Sequence, residues 1–400
     1  MRYLLFFIGL TFYACGNSGS GSGSEYIGVH HEFYKLFEGH PDRSESEWAA
    51  LNAIPGAKKM DSGHVRHPDF KTFGWHMYTS GTAYSYYDFS LLWAIGYFSY
   101  IPDPRTGKPK NAFNWESTGL IDSAHAQGCK VFLTVSNFGA TANQTLLTNT
   151  LAQQTLIDSL ASMLKRRNGD GVNIDFEAVP GENRDDFTRF LIRLSKTLKA
   201  QNPAYTITLA IYNVDWNKVF QIAAIDPHID YYILMGYDYA GAFSKHAGPI
   251  APLKNSNTWG NYSLDASVDY YLGQGVRHDK FIVALPFYGA AWNTPENRLP
   301  SRARHFLGHT TIDNIKQGFI EEKQQKTVYD SASASSYFVY RDSRGRNAQM
   351  WFDGKKALAQ KFDWIKERRL AGAGFWALGF GTNDTELWTL MGEKFGKREW

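Results

Sequence analysis

At 400 residues the chain is long enough to bury a large core, and an α/β barrel of this size stands as one unit. Its 42 Lys+Arg against 39 Asp+Glu leave a net charge of +3. With no long basic run, this excludes the charge pattern of a nucleic-acid-binding protein, and Lys165-Arg166-Arg167 and Arg302-Ala303-Arg304 read as solvated faces.

The N-terminus reads as a targeting segment. Arg2 supplies a short basic region, and residues 4–13 form an apolar run of signal-peptide length, too short for a stable membrane span. The run ends Phe12-Tyr13-Ala14-Cys15, where a small residue precedes Cys15 as in a bacterial lipoprotein signal, although Phe12 and Tyr13 are bulkier than that signal usually carries. Residues 1–15 are therefore expected to export the chain, with Cys15 lipidated. The other reading is an ordinary secretory signal with an incidental cysteine. Residues 16–24 (GNSGSGSGS) contain nothing that builds a core and read as a flexible tether. The expected location is the cell envelope, or otherwise outside the cell, with membrane contact through the lipid only. Residues 25–70 are polar and irregular and read as an N-terminal extension. Their histidines, His30, His31, His40, His64 and His67, fit no zinc spacing, and no metal site is expected. The one other cysteine, Cys129, starts an apolar run and reads as a buried thiol.

From residue 71 to 400 short apolar runs alternate with helical periodicity. Candidate strands are 73–77 (FGWHM), 91–100 (LLWAIGYFSY), 130–135 (KVFLTV), 171–177 (GVNIDFE), 205–211 (YTITLAI), 231–237 (YYILMGY), 281–285 (FIVAL) and 374–378 (GFWAL). Leu151, Leu156, Ile157, Leu160 and Leu164 share one helical face, as do Phe187, Phe190, Leu191, Leu194 and Leu198. Repeated βα units imply a parallel sheet, and eight of them predict a closed (β/α)₈ barrel. An open doubly wound sheet is disfavoured because no Gly-rich phosphate loop follows the first strand. Roughly eighty residues separate the seventh and eighth strands, far more than a loop and a helix need. A helical stretch at 312–319 and β-like runs at 326–330 and 336–341 predict a small α+β insertion, about 293–350, that walls a cleft on the catalytic face.

The fourth strand carries the chemistry. Alternate side chains share a face, so Asn173, Asp175 and Glu177 point one way and Val172, Ile174 and Phe176 the other. Inside a barrel three polar groups in file are costly unless they bond one another or do chemistry. Glu177 also stands at the strand's C-terminal end, where barrel active sites are built.

This segment resembles glycoside hydrolase family 18, the chitinase family, whose signature is Asp-x-x-Asp-x-Asp-x-Glu on the fourth barrel strand. Asp170, Asp175 and Glu177 match it, and Asn173 stands at the second Asp. That variant is similar to a bacterial subgroup that includes spore-cortex-lytic N-acetylglucosaminidases. Met235-Gly236-Tyr237-Asp238 resembles the family's Met-x-Tyr-Asp, Leu285-Pro286-Phe287-Tyr288-Gly289 with Trp292 its strand-seven block, and Trp376 its strand-eight tryptophan. Ser136-Asn137-Phe138-Gly139 matches the strand-three Ser-x-Gly-Gly only in part. The resemblance implies substrate-assisted retaining cleavage without a cofactor. Glu177 would be the proton donor, Asp175 the partner of the substrate acetamide, Tyr237 the holder of its carbonyl, and Trp376 the floor under the sugar. Asn173, Asp238, Met235, Tyr288 and Trp292 are expected near the substrate, and Tyr97 and Tyr100 are candidates to line the cleft or to pack beside it. An aromatic content of 16% suits such a cleft, because a flat ring stacks on the apolar face of a pyranose.

The expected partner is an N-acetylglucosamine-containing polysaccharide or oligosaccharide, bound by a monomer. The first reading is hydrolysis of chitin or chitooligosaccharides. Peptidoglycan N-acetylglucosaminidase and N-glycan endo-N-acetylglucosaminidase activity share that chemistry. A glycan-binding protein without turnover is the reading of another class, and the retention of Glu177, Asp175 and Tyr237 weighs against it.

Overall fold

The computed structural model describes residues 43–52 and 59–398. The export segment with Cys15, the tether, and His30, His31 and His40 lie outside the described residues. Eight parallel strands close into a barrel: β1 Lys71–Met77, β2 Ala94–Pro102, β3 Lys130–Phe138, β4 Gly171–Glu177, β5 Thr206–Ile211, β6 Tyr231–Met235, β7 Phe281–Pro286 and β8 Gly372–Trp376. Each pairs with its neighbour in sequence, and β8 returns to β1 with Gly372 opposite Lys71. The second strand starts at Ala94 rather than Leu91, because Asp88 accepts from the Ser90 N–H and turns Phe89–Leu91 into a 3₁₀ turn.

Helices fill the crossovers. In Thr150–Arg167 the predicted face is buried at Leu156, Ile157, Leu160 and Leu164, but Leu151, in the first turn, is 76% exposed. Asn149 caps this helix by accepting from the Ala152 N–H at 3.1 Å, and Asn168 ends it in the left-handed region. Arg184–Gln201 buries all five predicted positions. Phe176, on the outer face of β4, stacks on Phe187 and Phe190 with ring centroids 5.6 and 5.4 Å away. Burying such a ring contributes about 1.5–3 kcal/mol, so the apolar face of β4 anchors the polar one. Gly171 lets β4 start beside β5, since a Cβ there would stand 1.9 Å from the Thr206 carbonyl oxygen.

The insertion is a five-stranded antiparallel sheet in the order His305–Thr311, Tyr288–Asn293, Asn347–Phe352, Ser335–Arg341, Val328–Asp330. It spans Tyr288 to Phe352, wider than the 293–350 read from sequence, so Tyr288 and Trp292 belong to its first strand. The helical stretch is also shorter than expected: Ile312–Ile315 is α-helical and Lys316–Glu321 is a wider turn. A fully buried ion pair, Lys361 Nζ to Asp353 Oδ2 at 2.5 Å, ties the sheet to the barrel helix Lys355–Glu367.

Part of the extension lies among the described residues. The helix Glu45–Leu51 buries Trp48, and the Glu45 carboxylate accepts from Tyr84 Oη at 3.1 Å, from Thr118 Oγ1 and from the Gly119 N–H at 3.5 Å. His64–Arg66 pairs antiparallel with Gly396–Arg398 and so joins the two ends of the described chain. Among the described residues no helix is long and apolar enough to cross a membrane.

Candidate active site

The inner face of β4 builds the site in layers. Asn173, fully buried, lies lowest. Its Oδ1 accepts from Trp75 Nε1 at 2.9 Å and from Thr134 Oγ1 at 3.4 Å, and its Nδ2 donates to Thr208 Oγ1 at 2.9 Å. These neighbours come from β1, β3 and β5, so Asn173 does face the barrel interior. Asn173, expected near the substrate, is thus bonded to three barrel side chains. Asp175 lies above it, opposite Ser136 in the β3–β4 register, and Ser136 shares a 2.7 Å hydrogen bond with Ser99. Glu177 ends the strand and is 7% exposed.

The backbone of Glu177 is clamped. Its carbonyl accepts from Asn143 Nδ2 at 2.6 Å and from the Gly139 N–H at 3.1 Å, while Asn137 Nδ2 holds Asn143 Oδ1 at 2.9 Å. Tyr212 Oη donates to the Phe176 carbonyl at 2.7 Å and accepts from the Val179 N–H at 3.3 Å. Between these clamps Ala178 turns at φ +59°. The Glu177 side chain therefore leaves the strand at a fixed angle.

The facing wall comes from β6, β7 and the insertion. Gly236 breaks β6 at a point where a Cβ would stand 2.6 Å from the Ala284 carbonyl oxygen. Met235 is half-buried, Tyr237 is 2% exposed, and the Tyr237 carbonyl accepts from Asn213 Nδ2 at 2.6 Å. Asp238 follows at φ +57° and accepts from Tyr288 Oη at 2.5 Å, and His309 Nε2 stands 3.8 Å from the same Asp238 oxygen. The Tyr237 and Tyr288 rings meet edge to face at 6.0 Å. Trp292 donates from Nε1 to the Gly241 carbonyl at 3.1 Å and is fully buried, so it braces the wall from behind. Trp376 ends β8 and packs edge to face on Trp75 at 5.6 Å and on Phe98 at 5.0 Å.

Some expected residues lie elsewhere. Asp170 precedes β4 at the opposite end of the barrel, where its Oδ2 binds His125 Nε2 at 2.7 Å and the Val131 N–H at 2.8 Å. Tyr97 packs on Trp115 at 5.7 Å, and Tyr100 donates to the Gly107 carbonyl at 2.9 Å, so both pack beside the cleft. Cys129 is buried at the start of β3, and burial pushes its thiol pKa up. Among the described residues no cluster of three or more His, Cys, Asp or Glu side chains could hold a metal ion.

Sequence reasoning missed Asn143, Tyr212, Asn213 and His309. Tyr212 and Asn213 directly follow β5, a position that marks a barrel's functional face. Asn143 and His309 carry no such mark, because a helix start and an insertion strand bring them in.

The family model described as Glycosyl hydrolases family 18 matches residues 102–381, a span that includes the ends of β4, β6 and β8. YdhD of Bacillus subtilis (strain 168), named as a sporulation-specific glycosylase, is 28% identical over 257 residues, 62% of this chain and 56% of its own. The cortical fragment-lytic enzyme of the same organism is 21% identical over 290 residues, 70% of this chain and 63% of its own. The chain thus spans less than two thirds of the length of these relatives. The crystal structure of a Cycas revoluta GH18 chitinase in complex with (GlcNAc)3 aligns with a TM-score of 0.72 at 20% identity, covering 82% of this chain and 100% of that one, a likeness of fold.

Proposed function

Because the chain belongs to glycosyl hydrolases family 18, we propose that it hydrolyses β-1,4-linked N-acetylglucosamine glycans, chitin or chitooligosaccharides, with retention at the anomeric carbon. One observation carries this reading: Asp175 and Glu177 share the inner face of β4 at its C-terminal end, while Tyr237 lies just past the end of β6 and Trp376 ends β8.

Glu177, nearly shielded from water, donates its proton to the leaving glycosidic oxygen as that C–O bond breaks. The acetamide oxygen of the same sugar attacks the anomeric carbon and closes an oxazolinium ring. Asp175 accepts from the acetamide N–H and balances the positive charge, and Tyr237 donates to the acetamide oxygen. Trp376 stacks beneath the ring. Water then attacks the anomeric carbon, loses a proton to the Glu177 carboxylate, and reopens the ring with net retention. The route needs an N-acetyl group at the cleaved sugar, so cellulose and starch are not substrates.

The relatives named for sporulation and for cortical fragments favour a second reading, peptidoglycan N-acetylglucosamine linkages cleaved by the same residues. Incubating the protein with chitohexaose, purified peptidoglycan and a chitobiose-core N-glycan, followed by mass spectrometry of the products, separates these substrates. Cleavage of cellohexaose at a comparable rate would overturn the acetamide mechanism.

A further inference from the structure

A contiguous pair of exposed aromatic rings is more informative than a lone exposed apolar side chain. Trp216 is 69% exposed and Tyr262 51% exposed, and their rings meet edge to face at 5.1 Å. Both stand on the catalytic rim, Trp216 on the loop after β5 and Tyr262 on the loop between β6 and the helix Leu264–Gly273.

The backbone beneath them is fixed. The Asp215 carboxylate, 7% exposed, accepts from the Val219 N–H at 3.0 Å and the Phe220 N–H at 3.3 Å. Asn217 Nδ2 donates to the Val179 carbonyl at 3.1 Å, which stitches the Trp216 loop to the segment that leaves Glu177. Asn213 binds the Tyr237 carbonyl on one side and accepts from Ser267 Oγ at 2.6 Å on the other. Ser263, next to Tyr262, caps its helix by accepting from the Ala266 N–H at 3.3 Å. The two rings are thus held by loops bonded to both catalytic segments, while much of their own surface stays exposed. The exposed polar neighbours Lys218 and Asn261 offer ammonium and amide groups to hydroxyls. A flat apolar face, already ordered and edged by such groups, is what a pyranose ring recognises.

We propose that Trp216 and Tyr262 form a distal sugar-stacking subsite, which holds a further N-acetylhexosamine unit of the same glycan chain beyond the sugars at the cleavage centre. The inference rests on the hydrolase reading and adds a dependence on chain length. Only a glycan long enough to reach from Glu177 to the rim gains from the platform.

The test compares wild type, Trp216→Ala, Trp216→Phe and Tyr262→Ala, as full chains, on a chromogenic chitobioside, on chitin beads and on purified peptidoglycan. For Trp216→Ala the ratio of kcat/KM on the better polymer to that on the disaccharide falls by about fivefold, and Trp216→Phe restores most of it. Equal losses on short and long substrates, or none, would overturn the subsite. Retention of each protein on both polymers is read by sedimentation in parallel. If wild type cleaves neither substrate but Trp216→Ala still loses retention, the platform stands and the hydrolase reading fails. If Trp216→Ala instead changes the sedimentation coefficient and not retention, the patch is a protein contact and the proposal is wrong.

Discussion

Asn173 occupies a place where its neighbours already decide its hydrogen-bonding role. The Thr208 hydroxyl donates to the Val172 carbonyl at 3.3 Å, which leaves its lone pairs to accept from the Asn173 amide. A carboxylate there would face those lone pairs. Asn173→Asp is therefore expected to lose about 1–3 kcal/mol of stability through the mismatched hydrogen bond. Urea unfolding beside wild type measures this, and an unchanged unfolding midpoint would refute it. The inner face of β4 was legible in sequence because a two-residue period needs no long-range information. The clamps on Glu177 were not legible, since Asn143 and Tyr212 reach its backbone only after β3, β4 and β5 have aligned.

The insertion meets the barrel through buried charge. Burial pushes the Lys361 pKa down and that of Asp353 up, each against the pull of its partner. Lys361→Ala strands a buried carboxylate and is expected to cost about 3–5 kcal/mol in urea unfolding. Lys361→Met with Asp353→Leu should cost far less, and a double variant as unstable as the single one would contradict this account. On the other side of the insertion both Asp313 oxygens face the Asn383 N–H, at 3.3 and 3.2 Å, and burial, with Asp384 nearby, pushes the Asp313 pKa up to about 7. Below the ordinary carboxylate pKa this group's contribution is fully present, and it fades as pH rises through about 7. Between pH 5 and 8 wild type should therefore lose about 2–3 kcal/mol more stability than Asp313→Asn, since each pKa unit is worth about 1.4 kcal/mol. Parallel stability curves for the two proteins would show Asp313 ionised throughout. The insertion was legible as an overlong gap, but its start at Tyr288 was not. The apolar run passes from β7 into the antiparallel strand with only Phe287 between them.

At the scale of the molecule, the barrel was readable because each crossover shows its own apolar period. The open sheet was disfavoured by a missing phosphate loop, and β8 returning to β1 closes the barrel instead. The extension was not readable. Its helix is held by one buried tryptophan and one clamped carboxylate, and its strand pairs with the far end of the chain, contacts that leave no local pattern. We propose that the protein is exported and anchored through Cys15, with the barrel acting as a monomer at the end of its tether. Cys15→Ser should release the protein from the membrane fraction into the soluble one and abolish labelling with a radioactive fatty acid. Unchanged fractionation would refute the anchor.

The central claim is that Glu177 donates the proton and the substrate acetamide forms the intermediate. Its most direct test is hydrolysis of a soluble chitooligosaccharide by wild type and Glu177→Gln, with the product anomers followed by NMR from the first turnovers. The account predicts initial β-anomer from wild type and a rate at least about a thousandfold lower for Glu177→Gln, with the protein still folded. Initial α-anomer, or a Glu177→Gln rate near that of wild type, would contradict it.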